Sequence, residues 1–176
     1  MESWFQERTR LIRIREEQPG DIAAIREVNR QAFGQDGEST LVDALRASGT
    51  VLLSLVATVG DEVVGHIMYT PLQVGDVTGA ALAPMAVLPD HQGHGIGSQL
   101  VRAGTRRLEA SGCPFIIVLG HPHYYPRFGF TPASQRGITC EWDVPAEAFM
   151  LLVLDHARMA SVSGRAVYRP EFSTVT

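Results

Sequence analysis

The chain has 176 residues, 45% hydrophobic and 19% charged, an ordinary globular composition that fits one domain around one sizeable core. A formal net charge of −4 excludes the basic footprint of a nucleic-acid-binding domain. No run reaches the roughly 18 apolar residues that cross a membrane, and MESWFQERTR lacks the apolar stretch of a secretion signal. The two cysteines, Cys113 and Cys140, form no CxxC pair, so a reduced, cytoplasmic protein is expected, and neither thiol sits in a nucleophile motif. All 15 basic residues are arginine, which reads as composition bias rather than function.

In chain order, residues 1–10 read as a tail, 11–172 as a single domain and 173–176 as a second tail. Leu11–Arg15 alternates and predicts a first strand. Pro19-Gly20-Asp21 breaks it, with Asp21 as a cap for a helix whose apolar stripe (Ile22, Ile25, Val28, Ala32) runs to Phe33. A loop, Gly34 to Gly37, precedes a second helix, Glu38–Arg46, carrying Leu41, Val42 and Leu45. Two strands follow, Leu52–Val59 and Val63–Val74, joined through Gly60-Asp61-Glu62. The fourth strand, Ala80–Leu88, ends at Pro89. Beyond it lie a polar, glycine-rich turn and a helix with Ile96, Leu100, Val101 and Leu108 on one face. Ser111-Gly112-Cys113-Pro114 closes that helix, and FIIVL at 115–119 is a short buried strand. Ile138–Trp142, Ala148–Leu154 and Arg165–Tyr168 predict the remaining strands. The pattern is α/β around a mixed sheet, with the fourth and fifth strands parallel and joined by a right-handed helical crossover.

The chemistry concentrates in the turn. Strand, glycines and helix in succession present free backbone N–H groups at a helix N-terminus, where the dipole also favours negative charge. The dinucleotide pattern G-x-G-x-x-G fails at Ser98, and the phosphate loop ending in Lys-Ser/Thr fails because the chain has no lysine. What fits is Q-x-x-G-x-G at Gln92, Gly95 and Gly97, five residues beyond Val87. Here the chain resembles the GNAT superfamily of N-acetyltransferases. A second segment, Tyr125-Pro126-Arg127-Phe128-Gly129-Phe130, resembles that family's Y-x-x-x-G-F. Within the family the likeness is to an uncharacterised bacterial branch with a GxPxYYxRFGF segment, and it covers most of residues 11–172.

The resemblance implies a single-domain GNAT-like fold. Its sheet is mixed and mostly antiparallel, with flanking helices and a parallel fourth and fifth strand that splay to admit the pantetheine arm. It implies acetyl-CoA as donor, with coenzyme A as co-substrate, and an N-acyltransferase moving acetyl to an amine by direct attack in a ternary complex. The donor would lie against Met85, Ala86 and Val87 on the fourth strand. Its phosphates would rest on Gln92, Gly93, His94, Gly95, Ile96, Gly97 and Ser98. Tyr125 is expected as general acid to the departing thiolate, since a phenol in reach of the sulfur can protonate it.

The base is less determined. Some family members place a glutamate on the fourth strand where this chain has Ala81. His66, Tyr69, His123, Asp36 and Glu38 are candidates, with His121 favoured because strand ends border the cleft and histidine has the best-matched pKa. The short Gly120-His121-Pro122-His123 segment also lacks an asparagine that often contacts the cofactor. His91, His94, His121 and His123 supply imidazoles but no carboxylate or cysteine at a zinc spacing, so no metal is expected. The expected partner is an amine acceptor of unspecified identity, with neither nucleic acid nor membrane, to a monomer or homodimer. The competing reading is a non-catalytic acyl-CoA-binding sensor or regulatory module, which keeps the turn and makes Tyr125 incidental.

Overall fold

The computed structural model describes residues 11–174, so the expected tail at 1–10 lies outside the described residues. A twisted sheet is assembled from β1 (Ile12–Glu16), β2 (Leu53–Val59), β3 (Glu62–Val74), β4 (Val77–Val87), β5 (Phe115–Leu119), β6 (Thr131–Pro132), β7 (Ile138–Thr139), β8 (Phe149–Val153) and β9 (Gly164–Val167). Along the main path the order is β1-β2-β3-β4-β5-β8-β6, and β9 joins β7 to the far end of β3. Adjacent strands are antiparallel except for β4–β5 and β7–β9. This is the mixed, mostly antiparallel α/β arrangement expected from the sequence.

Strand alternation sends side chains to two faces, each with its own core. Val56, Met68, Leu72, Phe115, Ile117 and Leu151 face α1 (Ile22–Phe33) and α2 (Gly37–Ala47), which contribute Ile25, Val28, Leu41, Val42 and Leu45. Leu55, Ile67, Tyr69, Ile116 and Val118 face α3 (Ile96–Ala110), which contributes Ile96, Leu100, Val101 and Leu108. α3 lies close to the sheet because two glycines let it. A Cβ on Gly104 would sit 2.2 Å from the Tyr69 hydroxyl, and one on Gly65 3.1 Å from Ile96 and Leu100 methyls.

The sheet opens at one place. β4 and β5 pair only at Ala80–Ile116, Ala81–Ile117 and Leu82–Val118. Beyond Leu82, β4 bulges: Leu82 stands opposite Tyr69 and Met85 opposite Ile67, so Ala83 and Pro84 together oppose Met68. Pro84 carries no N–H to give to a neighbouring strand. The outer half of β4, through Val87, therefore runs free of β5, and the two parallel strands part.

Several expectations about the C-terminal third change. The strand expected over Ile138–Trp142 is only Ile138–Thr139, because β9 pairs with it at those two positions alone. β6 and a one-turn helix, α4 (His156–Met159), are additional; Asp155 caps α4 by accepting from the Arg158 N–H at 3.0 Å. Ser173 and Thr174, expected in a tail, belong to a 3-10 turn, Pro170–Thr174, that packs on α2.

Candidate active site

The gap between β4 and β5 holds a cavity of about 810 Å³ whose walls come from both faces of the sheet. On the α3 face it is lined by Met85, Val87, Ile96, Val118, Tyr124 and Tyr125. On the α1–α2 face it is lined by Ala32, Leu41, Ala83, Trp142, Tyr168 and Phe172. Two reactants can thus enter from opposite sides of one sheet and meet at its opening.

The turn between β4 and α3 forms one end. Gln92 donates its side-chain Nε2–H to the Val87 carbonyl at 3.0 Å, which ties the turn back to the strand it leaves and accounts for that five-residue spacing. Gly93 and Gly95 have φ of 78° and 80°, a left-handed backbone that glycine adopts without strain. Among the described residues, nothing beyond their chain neighbours lies within 4 Å of where their Cβ atoms would be, so the turn borders open space. α3 has no side-chain N-cap. Among the described residues, Gln99 bonds back to Gly95, while Gly97 and Ser98 N–H groups have no backbone acceptor. An uncapped helix N-terminus with glycines before it is a cradle for phosphate oxygens.

Tyr124 and Tyr125 start the 3-10 turn Tyr125–Phe128 beyond β5 and pack edge to face, with ring centroids 5.1 Å apart. Their hydroxyls differ in setting. Tyr124 reaches the start of α3, with its Oη 3.4 Å from Ser98 Oγ and 2.8 Å from where a Gly97 Cβ would be. The Arg127 guanidinium stacks 4.5 Å over the Tyr124 ring, adding a positive charge to the cavity wall at this end. Tyr125 lies deeper, its ring against Gly120 and Phe130. Burial, and then Tyr124, pushes its phenol well above the ordinary value, so it holds its proton throughout the physiological range.

The residues expected to hold the donor come together with one exception. Met85, Ala86, Val87, Gln92, Gly93, Gly95, Ile96, Gly97 and Ser98 all line the cavity. His94 does not; it is exposed, with its ring 3.3 Å from the His91 carbonyl. His91 lines the cavity instead.

The base candidates separate clearly. His121 and Glu38 line the cavity; His123 and Asp36 do not. His66 is fully buried beneath α1, its Nδ1 3.2 Å from Asn29 Nδ2 and its Nε2 3.0 Å from Ser54 Oγ. Ser54 in turn donates to Glu17, which Arg46 pairs at 2.7 Å. Burial lowers the His66 pKa to about 4, against the opposing pull of Glu17, so it is a neutral structural link. Tyr69 is sealed under α3 with its hydroxyl unpartnered and its pKa raised by burial. Ala81 is fully buried on β4, so no carboxylate occupies that position. Burial raises both cysteine thiols, and among the described residues no His/Cys/Asp/Glu group of three or more is arranged to hold a metal.

Sequence reasoning missed the aromatic wall on the α1–α2 face: Phe33, Trp142, Tyr168 and Phe172. The only signal was the density of rings late in the chain.

A parted parallel strand pair ending at an uncapped, glycine-led helix N-terminus has the architecture of a coenzyme-dependent acyl transferase. The chain belongs to the acetyltransferase (GNAT) family, whose model matches residues 21–130. Among curated proteins it is 40% identical over 134 residues to the uncharacterised N-acetyltransferase YjhQ of Escherichia coli K12, covering 72% of this chain and 74% of that one. It is 34% identical to the uncharacterised N-acetyltransferase YhbS of the same organism, covering 91% and 98%. The crystal structure of E. coli YhbS in complex with CoA superposes with a TM-score of 0.88 at 33% identity over 92% of both chains. A GNAT acetyltransferase from Brucella melitensis, in complex with acetyl-CoA, superposes with a TM-score of 0.77 at 34% identity, covering 93% of this chain and 99% of that one.

Proposed function

We propose that the protein transfers an acetyl group from acetyl-CoA to a primary amine by direct attack within a ternary complex. The observation that carries this reading is the cavity itself. It runs from the uncapped amides at Gly97 and Ser98, through the gap between β4 and β5, past Tyr125 to the α1–α2 face. The relatives crystallised with CoA and with acetyl-CoA support the identity of the donor.

In this reading the turn from Gly93 to Ser98 holds the pyrophosphate, with Arg127 and Tyr124 beside it. The free edge of β4 offers backbone groups to the pantetheine. The Met85 amide is assigned, by family resemblance, to the thioester carbonyl oxygen, where a preorganised donor stabilises developing negative charge. The amine nitrogen attacks the carbonyl carbon. A C–N bond forms, the C–S bond breaks and its electron pair goes to sulfur. Tyr125 gives its hydroxyl proton to that sulfur as the C–S bond breaks and regains one from solvent through the open cavity before the next turnover. The surplus proton on nitrogen leaves toward His121, at the end of β5, and then to solvent. Holding both reactants in one geometry supplies much of the rate.

The test is paired. Acetyl-CoA binding is measured by calorimetry, and release of coenzyme A is followed with a panel of primary amines. The reading expects binding and amine-dependent release. Tyr125→Phe should lower kcat about 10²-fold, within the usual range for general acid catalysis, with acetyl-CoA affinity nearly unchanged. Binding without release for any amine would instead support the non-catalytic sensor. Unchanged turnover in the variant would remove Tyr125 from the acid role.

A further inference from the structure

Opposite the donor wall, the cavity has a chemistry that the acetyl-transfer reading leaves unused. Trp142 and Tyr168 pack with ring centroids 4.7 Å apart, and Tyr168 and Phe172 at 5.1 Å. These three rings form a continuous wall, contributed entirely by the segment beyond β7. Phe33, at the end of α1, lines the same cavity and is 40% exposed; Leu119, at the end of β5, is 42% exposed. By strand alternation Leu119 belongs to the face of Phe115 and Ile117, the face that α1 and α2 cover. Both are large apolar side chains left open to solvent where the cavity is.

One carboxylate lines the same cavity as these rings. Glu38, in the first turn of α2, is the only acidic side chain lining the cavity among the described residues, and Leu41, one turn on, lines it too. Both Glu38 oxygens accept from Gln35 Nε2 at 3.2 Å, and among the described residues no arginine or histidine pairs with it. β4 contributes Val77, Ala81, Ala83 and Ala86 to this face, of which Ala83 and Ala86 line the cavity. An aromatic wall of tilted rings, with a carboxylate that no cationic side chain pairs among the described residues, is complementary to a cation on an aromatic or apolar body. The rings bury the body, and their faces and the carboxylate attract the ammonium.

Resting on the acetyl-transfer reading, we propose that the acceptor is a small primary amine carried on an aryl group, seated against Phe33, Trp142, Tyr168 and Phe172 with its ammonium toward Glu38. The ammonium then gives its proton to solvent in the open cavity, and the neutral amine meets the thioester through the gap between β4 and β5. Polyamines, with several charges, and amino sugars, with a polyhydroxyl body, do not match one carboxylate beside an apolar aromatic wall.

The experiment measures binding to the complex with coenzyme A, which permits no transfer, so it is independent of turnover. 2-Phenylethylamine, ethanolamine, spermidine and 2-phenylethanol are each titrated by calorimetry. The expected result is 2-phenylethylamine binding at least about tenfold tighter than ethanolamine or spermidine. Trp142→Ala should weaken it about fivefold or more, and Trp142→Phe about twofold, because a ring remains. Glu38→Gln should weaken 2-phenylethylamine and leave the neutral 2-phenylethanol unchanged. Equal affinities for the aryl and aliphatic amines, or tighter spermidine, would overturn the assignment; so would selective capture of peptide N-termini in place of the small amine. If Trp142→Ala does not fold, the wild-type comparison and Glu38→Gln still decide. Failure of coenzyme A itself to bind would overturn the transferase reading, a separate outcome from amines that bind without discrimination.

Discussion

Two histidines show what a residue's surroundings decide. His66 and His121 are both candidate bases by composition, and their chemistry differs because one is sealed. His66 lies in the buried run of β3, between Gly65 and Ile67, hydrogen-bonded to Asn29 and Ser54 at the end of a chain through Glu17 to Arg46. Burial would also raise the Glu17 carboxyl, but hydrogen bonds from Arg46 and Ser54 more than offset it and hold Glu17 below its usual range. The His66 pKa falls from 6.5 to about 4 on folding. The unfolded chain therefore binds the extra proton first. Stability from this group is fully present above pH 6.5, is lost as pH falls toward 4, and amounts to roughly 3 kcal/mol. Thermal unfolding midpoints should drop across that window, ahead of most carboxylate titration. His66→Gln, which keeps hydrogen-bonding capacity without titrating, should flatten the drop; an unchanged slope would contradict the account. The apolar setting of His66 in VVGHIMY was visible in the sequence, yet composition alone left it among the candidate bases. Its partners were not visible, because Asn29, Ser54 and Glu17 are brought together only by the fold.

Among the elements, the glycine turn was the most legible and the parting of the strands the least. Gln92, Gly95 and Gly97 act within a few residues of one another, so their spacing carries the geometry. The opening between β4 and β5 depends on a bulge defined against β3 and a ladder that stops at Leu82 and Val118. One local sign existed: Pro84 interrupts an otherwise central strand, and proline there marks an edge or a bulge. The two-residue β6 and the one-turn α4 escaped reading, and β7 was read too long, because elements so short carry too little periodicity to outweigh their loops. α3 offers a test of how tightly helix and sheet approach. Glycine to alanine in a helix interior ordinarily gains about 1 kcal/mol. At Gly104 the added methyl would fall 2.2 Å from the Tyr69 hydroxyl and within 2.6 Å of its ring. Overpacking costs typically about 1–3 kcal/mol, so the penalty wins. Gly104→Ala should lower the unfolding midpoint, and Gly104→Ala with Tyr69→Phe should recover part of the loss. A stabilised single variant would show that α3 can shift away from the sheet.

At the scale of the whole molecule, one sheet divides two tasks between its faces. α3 and the turn before it offer positive ends of backbone dipoles to a phosphate-bearing donor. In the proposed reading, α1, α2 and the segment beyond β7 offer rings and one carboxylate to the acceptor. Neither face alone makes a transferase; the parted strands join them. The donor half was readable from two motifs, while the acceptor half draws Phe33, Glu38, Trp142 and Phe172 from distant parts of the chain, and no local pattern announces it. The most direct test is a crystal structure with acetyl-CoA bound. It should show the pyrophosphate on the amides of Gly93 to Ser98 and the pantetheine along β4 between Met85 and Val87. The sulfur should lie within about 4 Å of the Tyr125 hydroxyl, with the acetyl group toward Phe33 and Trp142. A thioester outside the gap between β4 and β5, or one that meets Tyr124 with Tyr125 out of reach, would contradict the account.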